Sequence, residues 1–423
     1  MSVREALASG LPADADAPRP PVRVAMIGVS IDDPCGVRDH AVLLARALAR
    51  EGVSSSSHWL SRDAATLAGG RAELAAWTTR LASELEQARP DALLLHYSVF
   101  AFSHRGVPLF VGPILAALRA RDAPLVCVMH ELAYPWRLGG VRGKVWAATQ
   151  RVALIAVIRD SASLVVTAEA RARWLRSRRW LPRRPVLTAP VFSNLPQAIA
   201  VEGATGPATP TPHDDVGAAS GATAPKATLG LFGYVHEGVA RETVLDALRL
   251  LHGRGSGVAL LLLGAPGSGG PTGAAWIDAA RARGVAELVG FSGRLPAQEL
   301  ADSLARCDVL LFTERGGPTS RKTTLAASLA SGRPVVALDG ASTWRELASA
   351  RGAVIVAPDP HALADTIVGL LADGATRARQ GERGRAFAAR TMSAEHSAQV
   401  VAQAIDRAIA ARIAASNCSA RRA

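Results

Sequence analysis

A chain of 423 residues, 49% hydrophobic and 20% charged, is long enough for two domains with sizeable cores. Its formal net charge of +12 favours anionic partners: nucleotide-linked substrates, acidic lipid surfaces or nucleic acid. The basic residues are scattered rather than interleaved with the 4% of aromatics, which speaks against a nucleic-acid surface.

Residues 1–20, which carry all but the last residue of the acidic, Pro-rich run PADADAPRPP (12–21), read as a disordered leader without the basic and apolar regions of a secretion signal. VRVAMIGVS (22–30) is a continuous apolar strand. The turn DDPCGVRDH follows, then a helix, AVLLARALAREG, closed by Gly52. DALLLHYSVF (91–100) is strand-like and precedes a helix near 111–120. PLVCVMHE (124–131), SLVVTA (163–168) and PVLTAP (185–190) are further strands. No apolar run reaches 18 residues, because VALIAVI stops at Arg159 and Asp160. The expectation is a cytoplasmic protein, its Arg-rich helices offering at most a peripheral attachment to the acidic inner face of a membrane.

Residues 201–226 are rich in Gly, Ala, Thr and Pro and read as a linker. The strand–helix alternation then restarts with TLGLFGYV (228–235), a helix through VLDALRLL, GVALLLLG (257–264) and AELVGFSG (286–293). A helix around AQELADSLARC, strands DVLLF and RPVVAL, a strand–turn–helix in VIVAPDPHALADTIVGLLAD and a final helical region at 394–414 complete it. Apolar strands alternating with helices predict parallel sheets covered on both faces. Two such halves predict two Rossmann-like domains facing each other across a cleft, with ligands at strand carboxyl ends.

The most informative stretch is 308–337, where the strand Val309–Phe312 enters a Gly-Gly-Pro loop and then a helix opening on TSRKTT. Thr319, Ser320, Thr323 and Thr324 offer caps and hydroxyls there. Arg321 and Lys322 place two cations at a helix N-terminus, where an anion is the simplest compensation and a diphosphate fits best. The glycine-rich GAPGSGG (264–270) lacks a suitably placed ribose-binding acid and reads as a plain loop, and neither GxGxxG after the first strand nor GxxxxGK[ST] occurs. Cys35, Cys127 and Cys307 fall in or beside apolar segments and Cys418 in the tail, at no metal-ligand spacing; all four read as free thiols. Gly36 follows the first strand, where a missing Cβ lets the backbone approach a phosphate or sugar. Asp39 and His40 open the next helix, as a cap in the case of Asp39 or as sugar contacts. His96 and His130 end buried strands, and Glu131 adjoins the latter.

Together CGVRDHAVLLARAL (35–48), HYSVFAFSHRGVP (96–108), VMHEL (128–132), FGYVHEGVARETVLDAL (232–248) and GGPTSRKTTLAASLASGRPVV (316–336) resemble, in order and spacing, the retaining family 4 glycosyltransferases of GT-B fold. The resemblance implies an acceptor domain at 21–198, a linker at 199–226, a nucleotide-sugar domain at 227–394, a helix at 395–415 that can return to the first domain, and a tail at 416–423. It implies transfer from a nucleoside-diphosphate sugar to a carbohydrate, lipid-linked or small-molecule acceptor, with the anomeric configuration retained; no clustered Asp or Glu ligands appear, so neither metal nor cofactor is expected. By the same resemblance His130, Arg321 and Lys322 serve the reaction. Gly36, Gly233, Gly317, Thr319, Ser320, Thr323, Thr324 and Glu346 hold the donor, and Asp39, His40, His96 and Glu131 contact acceptor or sugar. The chain departs from the family where a Glu-x7-Glu pair is replaced by Thr319 and Ala327, and where a diphosphate-binding Lys is replaced by Val239. It looks like a subgroup in which Arg321 and Lys322, with Arg241 a further candidate, supply the lost charge. The departures leave open a catalytically impaired homologue that binds nucleotide or glycan as a partner subunit, and a sugar-nucleotide epimerase is a third reading.

Overall fold

The computed structural model describes residues 21–31, 35–136, 138–196, 225–236 and 238–420; the acidic leader and nearly all of the Gly/Ala/Thr/Pro-rich linker lie outside them. The chain divides into two compact units, Met1–Pro190 with Ala394–Ala423, and Val191–Ser393.

The first unit is a six-stranded sheet ordered β2-β1-β3-β4-β5-β6, with every pair parallel. Its strands are β1 (Val22–Ser30), β2 (Val53–Ser61), β3 (Ala92–Ser98), β4 (Leu125–Glu131), β5 (Ser163–Val166) and β6 (Val186–Thr188). The helices between them are α1 (Gly36–Arg50), α2 (Leu67–Ala88), α3 (Val111–Arg119), α4 (Gly140–Asp160) and α5 (Glu169–Ser177). Ala25, Ile27, Leu93, Leu95, Cys127 and Met129 join α2, α3 and α4 in one core, while Val24 and Met26 are buried on the opposite pleat. The last helix, α13 (Ala394–Ala420), packs against α1 and strands β3 to β6. It buries Ala398, Val401, Ile405, Ala408 and Ile409, an i, i+3, i+4 stripe, and donates from Ser397 Oγ to the Pro190 carbonyl at 3.1 Å. It runs to Ala420, past the boundary expected at 415.

The second unit repeats the plan with order β12-β11-β10-β7-β8-β9, again parallel throughout. Its strands are β7 (Ala227–Phe232), β8 (Val258–Leu263), β9 (Val289–Gly293), β10 (Val309–Phe312), β11 (Val335–Leu338) and β12 (Val354–Val356). Helices α6 (Arg241–Gly253), α7 (Pro271–Arg281), α8 (Ala297–Arg306), α9 (Thr323–Ala330), α10 (Arg345–Ser349), α11 (Pro360–Ala372) and α12 (Gly374–Thr391) connect or flank them. In β10, Val309 and Leu311 join one core while Leu310 and Phe312 join the other. A strand buried on both faces cannot show alternating polarity, which is why these segments read as unbroken apolar runs.

Strand order reverses between β1 and β3 in the first sheet and between β7 and β10 in the second. At each reversal the flanking connections leave on opposite faces, opening a crevice beyond the strand carboxyl ends.

Candidate functional site

In the first unit this crevice collects three histidines from three segments. His40 comes from the first turns of α1, His96 from β3 and His130 from β4. His96 Nδ1 lies 3.2 Å from His130 Nε2, and the two rings are near-parallel with centroids 5.5 Å apart. His40 packs edge-on against His130 at 5.2 Å, and Trp59 lies against His96 at 6.0 Å. His40 and His96 are buried. Burial lowers the pKa of His40 to about 4 and, with the neighbouring His40 ring, that of His96 to about 3. Burial, the other two rings and the Arg171 guanidinium hold His130 well below the usual range. All three rings are therefore neutral at pH 7, and a single proton occupies the His96–His130 contact. His96 Nε2 is buried with no hydrogen-bond partner.

Arg171, on α5, donates to the His130 carbonyl and to Thr167 Oγ1. Reading the sequence missed it, since its place beside His130 depends on β5 lying next to β4. Glu131 is half-buried at the end of β4, paired in register with Ser98. Gly36 is the first residue of α1, and a Cβ there would meet nothing within 4 Å. Among the described residues no contact thus demands glycine at that position. Asp39 is exposed, and α1 has Cys35 at its N-cap with no side-chain cap, so the capping expected of Asp39 is not found. Cys35 is half-buried at that helix start rather than in the core.

In the second unit the crevice is framed by the connections leaving β7 and β10. They are stitched together by a Val239–Glu314 bridge, with Ala240 N donating to Thr313 O and Arg315 N to Gly238 O, each at 2.8 Å. Gly233 has φ +85°, and a Cβ on it would stand 2.8 Å from Thr324 Cγ2, so this glycine lets the β7 turn close on the start of α9. Gly317, at φ +84°, is tighter: a Cβ would lie 2.3 Å from Thr343 Oγ1 and 2.9 Å from the Gly340 amide. Ser342 N to Gly316 O and Trp344 N to Pro318 O bind the Gly-Gly-Pro loop to the segment after β11. That segment leads into α10, where Glu346 sits exposed in the first turn. Tyr234 follows Gly233 and anchors the GAPG loop, accepting from Gly267 N at 2.8 Å.

The helix does not open on the whole of TSRKTT. It begins at Thr323, Lys322 is its N-cap, and no side-chain cap is present, so the caps expected of the hydroxyl residues are absent there. Thr319 and Ser320 belong to the preceding turn, with Ser320 buried and its carbonyl accepting from Val191 N. Nor are the two cations equivalent. Lys322 Nζ is 2.7 Å from Glu314 Oε1, with 25% and 15% of the respective side chains exposed, whereas Arg321 is exposed. Glu314 was missed as a partner because six residues of loop and turn separate it from the stretch carrying the cations. Arg241 starts α6 and pairs with Glu242 at 2.9 Å, which in turn pairs with Arg315. Arg241 Nε is buried with no hydrogen-bond partner.

Among the described residues no group of three His, Cys, Asp or Glu is placed to hold a metal ion, the histidine cluster included. Neutral imidazoles beside half-exposed carbonyl-end residues can donate to or accept from hydroxyl groups. The α9 turn can oppose negative charge with backbone amides, hydroxyls and cations.

Residues 226–373 match the family model described as glycosyl transferases group 1, a match confined to the second unit. No curated protein matches the chain. Sucrose-phosphate synthase from Thermosynechococcus elongatus is similar in structure at 16% identity, over 92% of this chain and 100% of that one, with TM-score 0.64. A glycosyltransferase from Rickettsia africae gives 10% identity, 92% and 99% coverage and TM-score 0.63. A UDP-GlcNAc 2-epimerase from Neisseria meningitidis gives 9% identity, 90% and 99% coverage and TM-score 0.53. The two parallel six-stranded sheets with their flanking helices thus form the α/β two-domain fold of the GT-B glycosyltransferases.

Proposed function

We propose that the chain is a glycosyltransferase that moves a sugar from a nucleoside-diphosphate sugar to a carbohydrate, lipid-linked or small-molecule acceptor, with retention at the anomeric carbon. The observation that carries this reading is the turn at the β7/β10 reversal. There two positive-φ glycines, the hydroxyl residues Thr319, Ser320, Thr323 and Thr324, the α9 N-terminus and Arg321 with Lys322 lie in one loop-and-helix region, within the segment matching the transferase family. The diphosphate leaves as the glycosidic bond breaks, and its growing charge is met by Arg321, Lys322 and helix-end amides already in place. A departing phosphate oxygen takes the proton of the acceptor hydroxyl on the same face, so no dedicated base is required. The neutral histidines of the first unit orient hydroxyl groups by hydrogen bonds, with His130 as the one nearest the reacting sugar. Gly36 allows close backbone approach, and Glu346 binds the donor ribose. No metal takes part.

The Lys322–Glu314 ion pair favours a second reading, because it cancels one of the two charges that would stabilise a leaving group. A homologue that binds nucleotide or glycan as a partner subunit, without turnover, would keep such a pair. Thermal-shift titration against UDP, GDP, ADP and TDP sugars identifies the nucleotide, since stabilisation grows with ligand concentration over Kd. Release of free nucleoside diphosphate that depends on an acceptor supports the transferase. Binding with no release across a broad acceptor panel sinks it in favour of the partner subunit, and sugar epimerisation without release would indicate the third reading.

A further inference from the structure

Helix α4 is apolar on two faces. Ala153, Leu154, Val157 and Ile158 join the first unit's core, and Gly143 and Ala147 are buried on the same helix. On the outer side Val141, Val145, Ala148 and Val152 repeat at i, i+4, i+7 and i+11, and all four are exposed, Val141 by 80% and Val152 by 68%. A contiguous exposed apolar stripe of this kind, flanked by polar residues, marks a surface that meets a partner. Trp136 and Leu138, on the loop entering the helix, are about as exposed, at 50% and 54%. The surface is firmly built. Gln150, fully buried, accepts from Tyr134 N at 2.7 Å and donates to Gly106 O at 2.8 Å, tying the loops after β3 and β4 to the helix.

The charges identify what covers it. From Leu132 to Arg159 the sequence contains no Asp or Glu. Arg142 lies over the Trp146 ring at 4.7 Å and Arg151 over Trp136 at 4.5 Å, with Lys144 exposed between the stripe residues. A second copy laid on this face would set these cations against each other, which like-charge juxtaposition disfavours. Aliphatic residues framed by tryptophan and an unbroken positive fringe instead suit an anionic lipid surface, with the helix lying at the headgroup boundary. Among the described residues no helix is long and apolar enough to cross a membrane, so the helix would lie on the bilayer rather than span it. We infer that the outer face of α4, with Trp136 and Leu138, docks the protein on anionic bilayers. The inference does not depend on the transferase reading. Where both hold, docking brings the strand end carrying His130, nine residues before the helix N-cap Gly139, toward a lipid-borne acceptor.

The test is co-sedimentation of the whole chain with phosphatidylcholine vesicles, with and without phosphatidylglycerol. Binding is expected only when phosphatidylglycerol is present and is expected to weaken with salt. Arg142→Ala with Lys144→Ala should weaken it roughly thirtyfold, about fivefold per cation near an anionic surface. Val141→Asp with Val145→Asp should abolish it, and both double variants should unfold thermally like the parent because all four side chains are exposed. The inference fails if the parent ignores anionic vesicles, or if neither double variant binds less. It fails equally if the parent is a dimer that Val141→Asp with Val145→Asp splits while vesicles are ignored, which would assign the face to a second copy.

Discussion

The same sheet plan carries opposite electrostatics at its two reversal points. In the first unit three imidazoles are kept neutral by burial and by one another. In the second a half-buried Lys–Glu pair stands beside an open Arg. Neutral rings in a dry pocket fix the direction of hydrogen bonds at little electrostatic cost, whereas cations at a helix end answer charge that appears during a reaction. The comparison separates a region suited to orientation from one suited to charge stabilisation, although neither division is visible in the fold itself.

The strongest way to break that division is to remove the charges. Arg321→Ala with Lys322→Ala should lower acceptor-dependent nucleotide release by about 10²- to 10³-fold, and should also lower the thermal midpoint because the largely buried Glu314 carboxylate loses its partner. Unaltered turnover in a kinetic assay would remove the second unit's turn from the chemistry. Acid tests the other side. Above pH 6.5 the rings are neutral both folded and unfolded. As pH falls from 6.5 toward 4 the unfolded chain takes up protons that the folded His40 refuses, so stability is lost, by about 3 kcal/mol for His40 alone. Thermal midpoints measured across that window should drop steeply for the parent and less steeply for His40→Gln; identical slopes would contradict neutral burial.

Gly317→Ala sharpens the contrast in rigidity. Its Cβ would collide with Thr343 and the Gly340 amide at a positive φ, costing about 1–3 kcal/mol in denaturant melts and weakening nucleotide-sugar binding. Gly36→Ala, with open space around the site, should leave stability unchanged within roughly 0.5 kcal/mol. Loss of turnover in that variant at full stability would point to a ligand passing close to the backbone. The smallest effect is expected from Asp39→Ala, which removes no cap and should shift stability by less than about 0.5 kcal/mol.

How much could be read from residues alone follows from burial. Strands enclosed on both faces announced themselves as apolar runs: Val22–Ser30 and Val309–Phe312 fall where the sequence places them. The edge strand β2, VSSSSHWLS, was missed because one neighbour and much solvent leave it polar, and α2 was missed with it. Helix α12, rich in Arg and Gly, was passed over because its sequence is more polar than apolar. At the site, His40, His96 and His130 were each noticed singly. Their convergence depends on β3 lying between β1 and β4, and strand order is not written in local pattern. The Lys322–Glu314 pair was hidden for a similar reason, since only the folded turn brings residues 314 and 322 together.

Helix α13 has a consequence for synthesis. Ribosomes deliver the second unit as one uninterrupted segment, while the first still lacks the piece that covers α1 and strands β3 to β6. Until translation reaches Ala394 and beyond, that apolar surface stays open and prone to sticking. The half that is made first is finished last.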